Sequence, residues 1–252
     1  MLKNSLFAIL LFLLGINSLA AKSEHINLEQ VKWKFDGALG VFDHTSIQRG
    51  FQVYKEVCAS CHSLKRISYR NLTEVGFSEA EAKAIAAEYS VTDGPDDSGE
   101  MFERPAILTD HFVAPYENEN AARASNGGAY PPDLSLIVKS RPDGANYLYS
   151  LLKGYVKTPV GFKVSPGMSY NKYFPGHQIA MPKPLLYGHV EYMDGTEASV
   201  DQMSKDVVNF LQWTAEPEME KRKKLGIKIL LFLIVASFFF WSAKKNIWKR
   251  IK

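Results

Sequence analysis

Cysteine is nearly missing from this chain: Cys58 and Cys61 are the only two in 252 residues. A scaffold built on several disulfides is therefore excluded. A zinc site would need two further Cys or His ligands at compact spacing, and His25, His44, His111, His177 and His189 are not paired that way. No βαβ pattern surrounds the two thiols, which argues against a thioredoxin-type dithiol. There is no internal repeat and no low-complexity tract, so a repeat architecture is excluded as well. Arginine is missing from the first twenty residues, which are not amphipathic. A mitochondrial transit peptide should be both Arg-rich and amphipathic.

What is there is Cys58-Ala59-Ser60-Cys61-His62. This reads C-x-x-C-H, the attachment sequence for one covalently bound c-type haem. Two thiols three residues apart can each bond one vinyl-derived carbon of a porphyrin. The next residue then brings an imidazole to the iron.

Such attachment happens outside the cytoplasm, and the N-terminus agrees. Lys3, an apolar run from Leu6 to Ile16 and then Ser18-Leu19-Ala20 form the three parts of a signal peptide. Residues 1–20 are the expected signal peptide, with cleavage after Ala20 and Ala21 as the next choice. At the other end, Leu225 to Ala243 is apolar except for Lys228 and would be about 28 Å long as a helix. Lys228 lies close enough to the boundary to snorkel, and Trp241 and Trp248 fall near the far interface. Residues 225–243 are therefore the expected transmembrane anchor. Basic residues flank the anchor on both sides, so charge alone does not orient it. The signal peptide does, by exporting residues 21–224 and leaving a basic tail, 244–252, in the cytoplasm. The expected location is the bacterial inner (cell) membrane, single-pass, with the haem domain on the periplasmic side.

The body is long enough for one domain with a substantial core. Gly and Pro punctuate residues 93–195 heavily, predicting few helices joined by long irregular connections. Helices are predicted from Ile47 to Val57, from Ser78 (with Glu81 completing a capping box) to Tyr89, from Tyr147 to Lys153 with Gly154 in the C′ position, and from Val200 to Trp213. The last carries Met203, Val207, Phe210 and Leu211 on one face and should pack on the helix before the haem motif. The expected class is all-α with long loops and a small two-stranded piece, plus the C-terminal transmembrane helix.

The sixth iron ligand decides the chemistry: a methionine makes a low-spin electron carrier, whereas an open site permits binding or activation of small molecules. Candidates are Met101, Met168, Met181, Met193, Met203 and Met219. Met203 and Met219 lie on predicted helices. Met181 (Ile179-Ala180-Met181-Pro182) and Met168 (Pro166-Gly167-Met168) both lie in stiffened, turn-rich segments, and the residues alone leave the two open.

Several stretches then resemble one family. They are Trp33-Lys34-Phe35-Asp36-Gly37, Arg49 to Tyr54 leading into the cysteine motif, and Asp93-Gly94-Pro95. Gly99 to Pro105 and Pro131 to Ser135 follow, then Tyr173 to Gly176, Ile179 to Pro182, Asp194-Gly195-Thr196 and Ala215 to Glu218. In this order they are similar to cytochrome c1, the membrane-anchored haem subunit of the quinol–cytochrome c oxidoreductase (cytochrome bc1) complex. The resemblance implies that Met181 and His62 are the iron ligands and that Asn126 and Arg141 meet the haem propionates. It also places Tyr54, Pro132 and Tyr147 near the ring. One departure is Gly127, where the family usually carries a second asparagine after the one that Asn126 matches. The extra disulfide of some bacterial members has no cysteines to form it.

The resemblance further implies the partners: cytochrome b, a Rieske iron–sulfur protein as electron donor, a soluble or anchored cytochrome c as acceptor, and a dimeric complex in the membrane. No nucleic acid is implied, and no catalysis by the isolated chain. His111, His177 and His189 would be structural or interfacial. Residues 71–120 contain twelve acids against Lys83 and Arg104, while the whole chain carries +3. One-signed fields steer weak, fast encounters, so this stretch is expected to attract a basic mobile cytochrome. The rival readings are another anchored monohaem cytochrome feeding a terminal oxidase, and an open-site haem enzyme or sensor.

Overall fold

The computed structural model describes residues 26–249. The expected signal peptide lies outside them, as do His25 and the end of the basic tail. The architecture is mostly helical, as the sequence predicts, with α1 (His44–Val53), α2 (Glu79–Ala87), α3 (Glu119–Ser125), α4 (Gly144–Lys153), α5 (Val200–Ala215) and α6 (Met219–Lys249). Two antiparallel strand pairs lie between them, one more than expected: β1 (Ser90–Asp93) with β2 (Phe102–Pro105), and β3 (Ser169–Tyr170) with β4 (Gln178–Ile179).

Helix α1 starts where Asp43 accepts a hydrogen bond from the Ser46 N–H. It does not run unbroken into the cysteine motif. The α pattern ends at Val53, and Tyr54–Cys58 forms a single π-helical turn closed by Ala59 N–H donating to the Tyr54 carbonyl (2.8 Å). One extra residue in a turn rotates everything after it by about 100° relative to a continuous α-helix. The cysteine motif is thereby re-aimed while Tyr54 stays in the core, 2 % exposed.

The apolar stripe predicted on α5 is found: Met203, Val207, Phe210 and Leu211 are all buried. This helix packs against both α1 and α4. At the α1–α5 crossing a side chain at Gly50 would have its Cβ 2.0 Å from the Asp206 carbonyl oxygen, so only glycine permits the approach. Polar groups lock the same crossing. The carboxylate of Asp206, with no exposed surface, accepts from Arg49 Nε (2.9 Å), Ser46 Oγ (2.6 Å) and Gln202 Nε2 (2.9 Å). Arg49 also reaches Asp194 (2.8 Å).

Helix α2 carries the predicted capping box between Ser78 and Glu81. Helix α4 starts three residues before the expected Tyr147. Gly154 ends it with φ −74°, so it is not the left-handed cap expected from its position. Its smallness serves a different purpose: a Cβ there would sit 2.3 Å from Asn171 Oδ1. That close approach seats the 169–181 loop on the end of α4.

Helix α6 is long and apolar enough to cross a membrane, and it contains the expected span 225–243. Its first turns are tied to the domain. Glu220 accepts from the Phe42 N–H (2.7 Å), and Lys223 Nζ donates to the carbonyls of Phe35 (2.6 Å) and Gly40 (3.2 Å). Just before the helix, Glu216 pairs with Lys139 and Arg222.

Candidate haem-binding site

His62 lies four residues beyond the end of the π turn, and its N–H and that of Cys61 both return to the Cys58 carbonyl (2.9 and 3.1 Å). Its ring Nδ1 lies 2.8 Å from the carbonyl oxygen of Pro132. A carbonyl can only accept, so Nδ1 carries the proton and Nε2 is left with its lone pair for a metal. Burial lowers the pKa of this imidazole against the raising effect of the Pro132 bond, which favours the neutral form that coordination requires. The Tyr54 hydroxyl donates to the His62 carbonyl (3.2 Å). Of the residues named from sequence, Tyr54, His62 and Pro132 are thus joined in one hydrogen-bonded group.

Asp133, part of the stretch Pro131 to Ser135 but given no role from sequence, fixes that group. Its carboxylate accepts from Ser63 Oγ (2.8 Å), Lys65 N–H (2.9 Å) and Ser135 N–H (3.0 Å). Leu134 N–H adds a bond to the Ser63 carbonyl (2.9 Å). Burial opposes ionisation of Asp133, yet these hydrogen bonds outweigh it and hold its pKa below the ordinary value. Residues 62–66 and 132–135 are zipped together as a result.

Both thiols are free. Burial pushes the Cys58 thiol up to about 12, so it stays neutral. Among the described residues no group of three or more His, Cys, Asp or Glu is placed to hold a metal ion.

The methionines separate by environment. Met101 and Met193 are well exposed, whereas Met203 and Met219 are buried in the core. Met168 and Met181 are both half-buried and lie at the same end of the β3–β4 pair, where Ser169 is opposite Ile179. Only Met181 has its carbonyl held by a hydrogen bond from Tyr155 Oη (3.1 Å). Burial pushes the Tyr155 phenol well above its usual range, so it remains a donor. Asn171, fully buried, anchors the same loop by donating to the Leu151 carbonyl (2.8 Å) and accepting from Tyr173 N–H (3.0 Å).

Tyr147 is half-buried on α4 with Arg141 beside it; burial raises the Tyr147 pKa and the guanidinium opposes this. Arg141 itself is exposed, its Nη1 3.1 Å from the Ser140 carbonyl. Asn126 caps α3 and directs its amide to Tyr116 Oη (3.1 Å) and the Ala122 carbonyl (2.7 Å). Both amide protons are therefore engaged within the protein. His177 Nδ1 (to the Lys172 carbonyl) and His189 Nδ1 (to the Pro184 carbonyl) each sit at 3.1 Å from a nearby backbone oxygen.

Two free thiols and an imidazole with one committed nitrogen fit the attachment side of a c-type haem. The His62 segment continues from α1, the Met181 loop is held at the end of α4, and α5 packs on both helices.

Comparison with known proteins agrees. Residues 33–251 match the model of the Cytochrome C1 family. The chain is 55% identical to "Cytochrome c1 1, heme protein, mitochondrial" of Arabidopsis thaliana, over 86% of this chain and 71% of that protein. It is 46% identical to cytochrome c1 of Rhodospirillum rubrum, over 90% and 89% respectively. Identity to the "Cytochrome b-c1 complex catalytic subunit, mitochondrial" of Candida albicans is 49%, over 91% and 83%. With its haem-attachment motif, helical body and long apolar C-terminal helix, this chain belongs to the cytochrome c1 family and carries a c-type haem in electron transport.

Proposed function

We propose that the chain is the membrane-anchored monohaem electron carrier of a respiratory bc1 complex. His62 and Met181 are the axial ligands, and Cys58 and Cys61 hold the haem covalently. It takes electrons from a Rieske iron–sulfur protein and passes them to a soluble cytochrome c. The observation that carries this reading is the His62–Pro132 bond, which leaves one imidazole nitrogen for iron beside two free thiols.

When bound, the haem supplies a one-electron couple at its iron. The protein's part is to hold the surroundings still. Pro132 fixes the imidazole and Tyr54 the His62 carbonyl, and buried aromatic rings around Tyr54 (Phe112 and Phe210, centroids 6.2 and 5.6 Å away) exclude water from that side. On this reading Arg141 and Asn126 meet the haem carboxylates, where a guanidinium can pair with a carboxylate, and Tyr147 lies near the ring. No proton needs to move for the electron to pass.

Helix α6 spans the inner membrane with the haem domain on the periplasmic side and cytochrome b as neighbour in a dimeric complex. The ties at Glu220 and Lys223 support a fixed stance of the domain on its anchor. The acidic stretch is the docking face for a basic cytochrome c. Part of its charge is internally neutralised, by Arg104 with Asp93 and Asp110, Lys83 with Glu79, and Lys55 with Glu88. Glu74, Asp96, Asp97, Glu100 and Glu117 are exposed and give the face its sign.

The test is the absorption spectrum of the purified membrane complex with its subunit composition. The ferric wild type should show the weak far-red sulfur-to-iron band, and Met181→Leu should abolish it. A wild type without the band overturns the Met181 ligand. A haem protein that purifies without cytochrome b and Rieske subunits overturns the complex.

A further inference from the structure

We infer that Tyr155 is a positioning residue for the axial thioether of Met181, holding the ligand peptide through its hydroxyl. The inference rests on Met181 being the iron ligand, as proposed above. A methionine is a weak neutral ligand on a side chain with three rotatable bonds, so its bond to iron depends on how little freedom the backbone leaves it. At Met181 that freedom is removed from three directions. Two residues earlier, Ile179 is paired with Ser169 in the β3–β4 ladder. Immediately after it, Pro182 confines the backbone of the preceding residue to extended conformations and has its own φ locked.

The third restraint is the Tyr155 hydroxyl, 3.1 Å from the Met181 carbonyl oxygen. It alone ties the ligand's peptide to a helix. Tyr155 follows Gly154, the residue that caps α4, and the Gly154 carbonyl accepts from Lys172 N–H (3.0 Å) while Asn171 donates to the Leu151 carbonyl (2.8 Å). The end of α4 therefore grips the loop at 171–172 and again at 181. Helix α4 packs on α5, and α5 packs on α1, which leads into His62. The phenol is the last link in a rigid path between the two axial positions.

Removing the hydroxyl alone leaves the ring and its packing in place, so Tyr155→Phe in the haem-loaded complex is the test. Three readouts apply to the ferric protein: the far-red band, the midpoint potential and displacement of the thioether by added imidazole. Loss of one hydrogen bond should make displacement by imidazole about fivefold easier, shift or weaken the band and lower the potential. A general loss of packing would lower the melting temperature without singling out the sixth ligand. Replacing Tyr155 by 3-fluorotyrosine, a stronger donor of nearly the same shape, should make displacement harder; it supplies the answer if Tyr155→Phe does not accumulate. If the wild type has the band, Met181→Leu lacks it and neither Tyr155 variant changes displacement or potential, the positioning role is wrong and the ligand assignment stands. If the wild type lacks the band, it is the ligand assignment that falls.

Discussion

Nδ1 of His62 lies 2.8 Å from the carbonyl oxygen of Pro132, a residue 70 positions further along the chain. That single bond sets the tautomer of the imidazole and fixes its plane. Proline contributes a rigid φ to the carbonyl's own residue. The carbonyl is kept in place in turn by Asp133, whose side chain bonds both sides of the junction.

The first prediction concerns that brace. Asp133→Ala strands the Ser63 hydroxyl and the Lys65 and Ser135 N–H groups at a partly buried junction. The expected loss of stability is about 2–4 kcal/mol, from several hydrogen bonds to a charged acceptor. Urea unfolding of the haem-loaded protein measures it. A loss under 0.5 kcal/mol (roughly the scale of a surface substitution) would show that the junction is held by packing instead.

The second prediction concerns the α1–α5 crossing. Asp206 is wholly buried against the guanidinium of Arg49, and removing it strands Ser46, Gln202 and the buried side of that guanidinium, which keeps only the more exposed Asp194. Asp206→Ala should cost about 3–5 kcal/mol. Replacing both residues together should cost less than the sum of the single changes. Additive losses in a double-mutant cycle would mean that the pair does not act as a unit.

The third prediction is a pH dependence at the α4–α5 joint. Asp201 lies in the first turn of α5 and meets Lys205 (2.7 Å), Lys153 (2.9 Å) and the Tyr149 hydroxyl. Burial opposes its ionisation, but these partners win and lower its pKa from the usual 3.8. A group depressed on folding stabilises the native state fully above its unfolded pKa, and that contribution fades as pH falls through the folded value. Stability should therefore decline below about pH 4, and Asp201→Asn should flatten this part of the acid limb. Parallel wild-type and variant curves between about pH 4 and 2 would rule Asp201 out as a source of acid sensitivity.

The parts legible in the sequence are those built from neighbours along the chain. Ser78 and Glu81 are three residues apart, and their capping box forms as predicted. Met203, Val207, Phe210 and Leu211 recur at helical spacing and are buried together. Helix α3 escapes notice because seven residues carry too little periodicity, although Asn118 caps it by accepting from Ala121 N–H. The π turn at Tyr54–Cys58 is not legible because the same residues suit a continuous α-helix. Asp133 and Tyr155 matter through partners 68–70 and 26 positions away. Asp133 falls within the family-like stretch Pro131 to Ser135, but no local pattern gives either residue its role.

The fourth prediction concerns the acidic stretch. Glu74, Asp96, Asp97, Glu100 and Glu117 point to solvent, and at low salt their summed field should guide a cationic partner. Steering of this kind enters the association rate and is screened over about 10 Å at 0.1 M salt. Reduction of a basic cytochrome c by the complex should slow about tenfold between low and high ionic strength. The triple change Asp96→Asn, Asp97→Asn, Glu100→Gln should lower the low-salt rate and reduce the salt dependence. It should leave the rate at high salt nearly unaltered, because the transfer step itself does not involve these side chains. Stopped-flow traces at several salt concentrations separate the two. A rate indifferent to salt in the wild type would remove the docking role and leave the charge as a solvated surface.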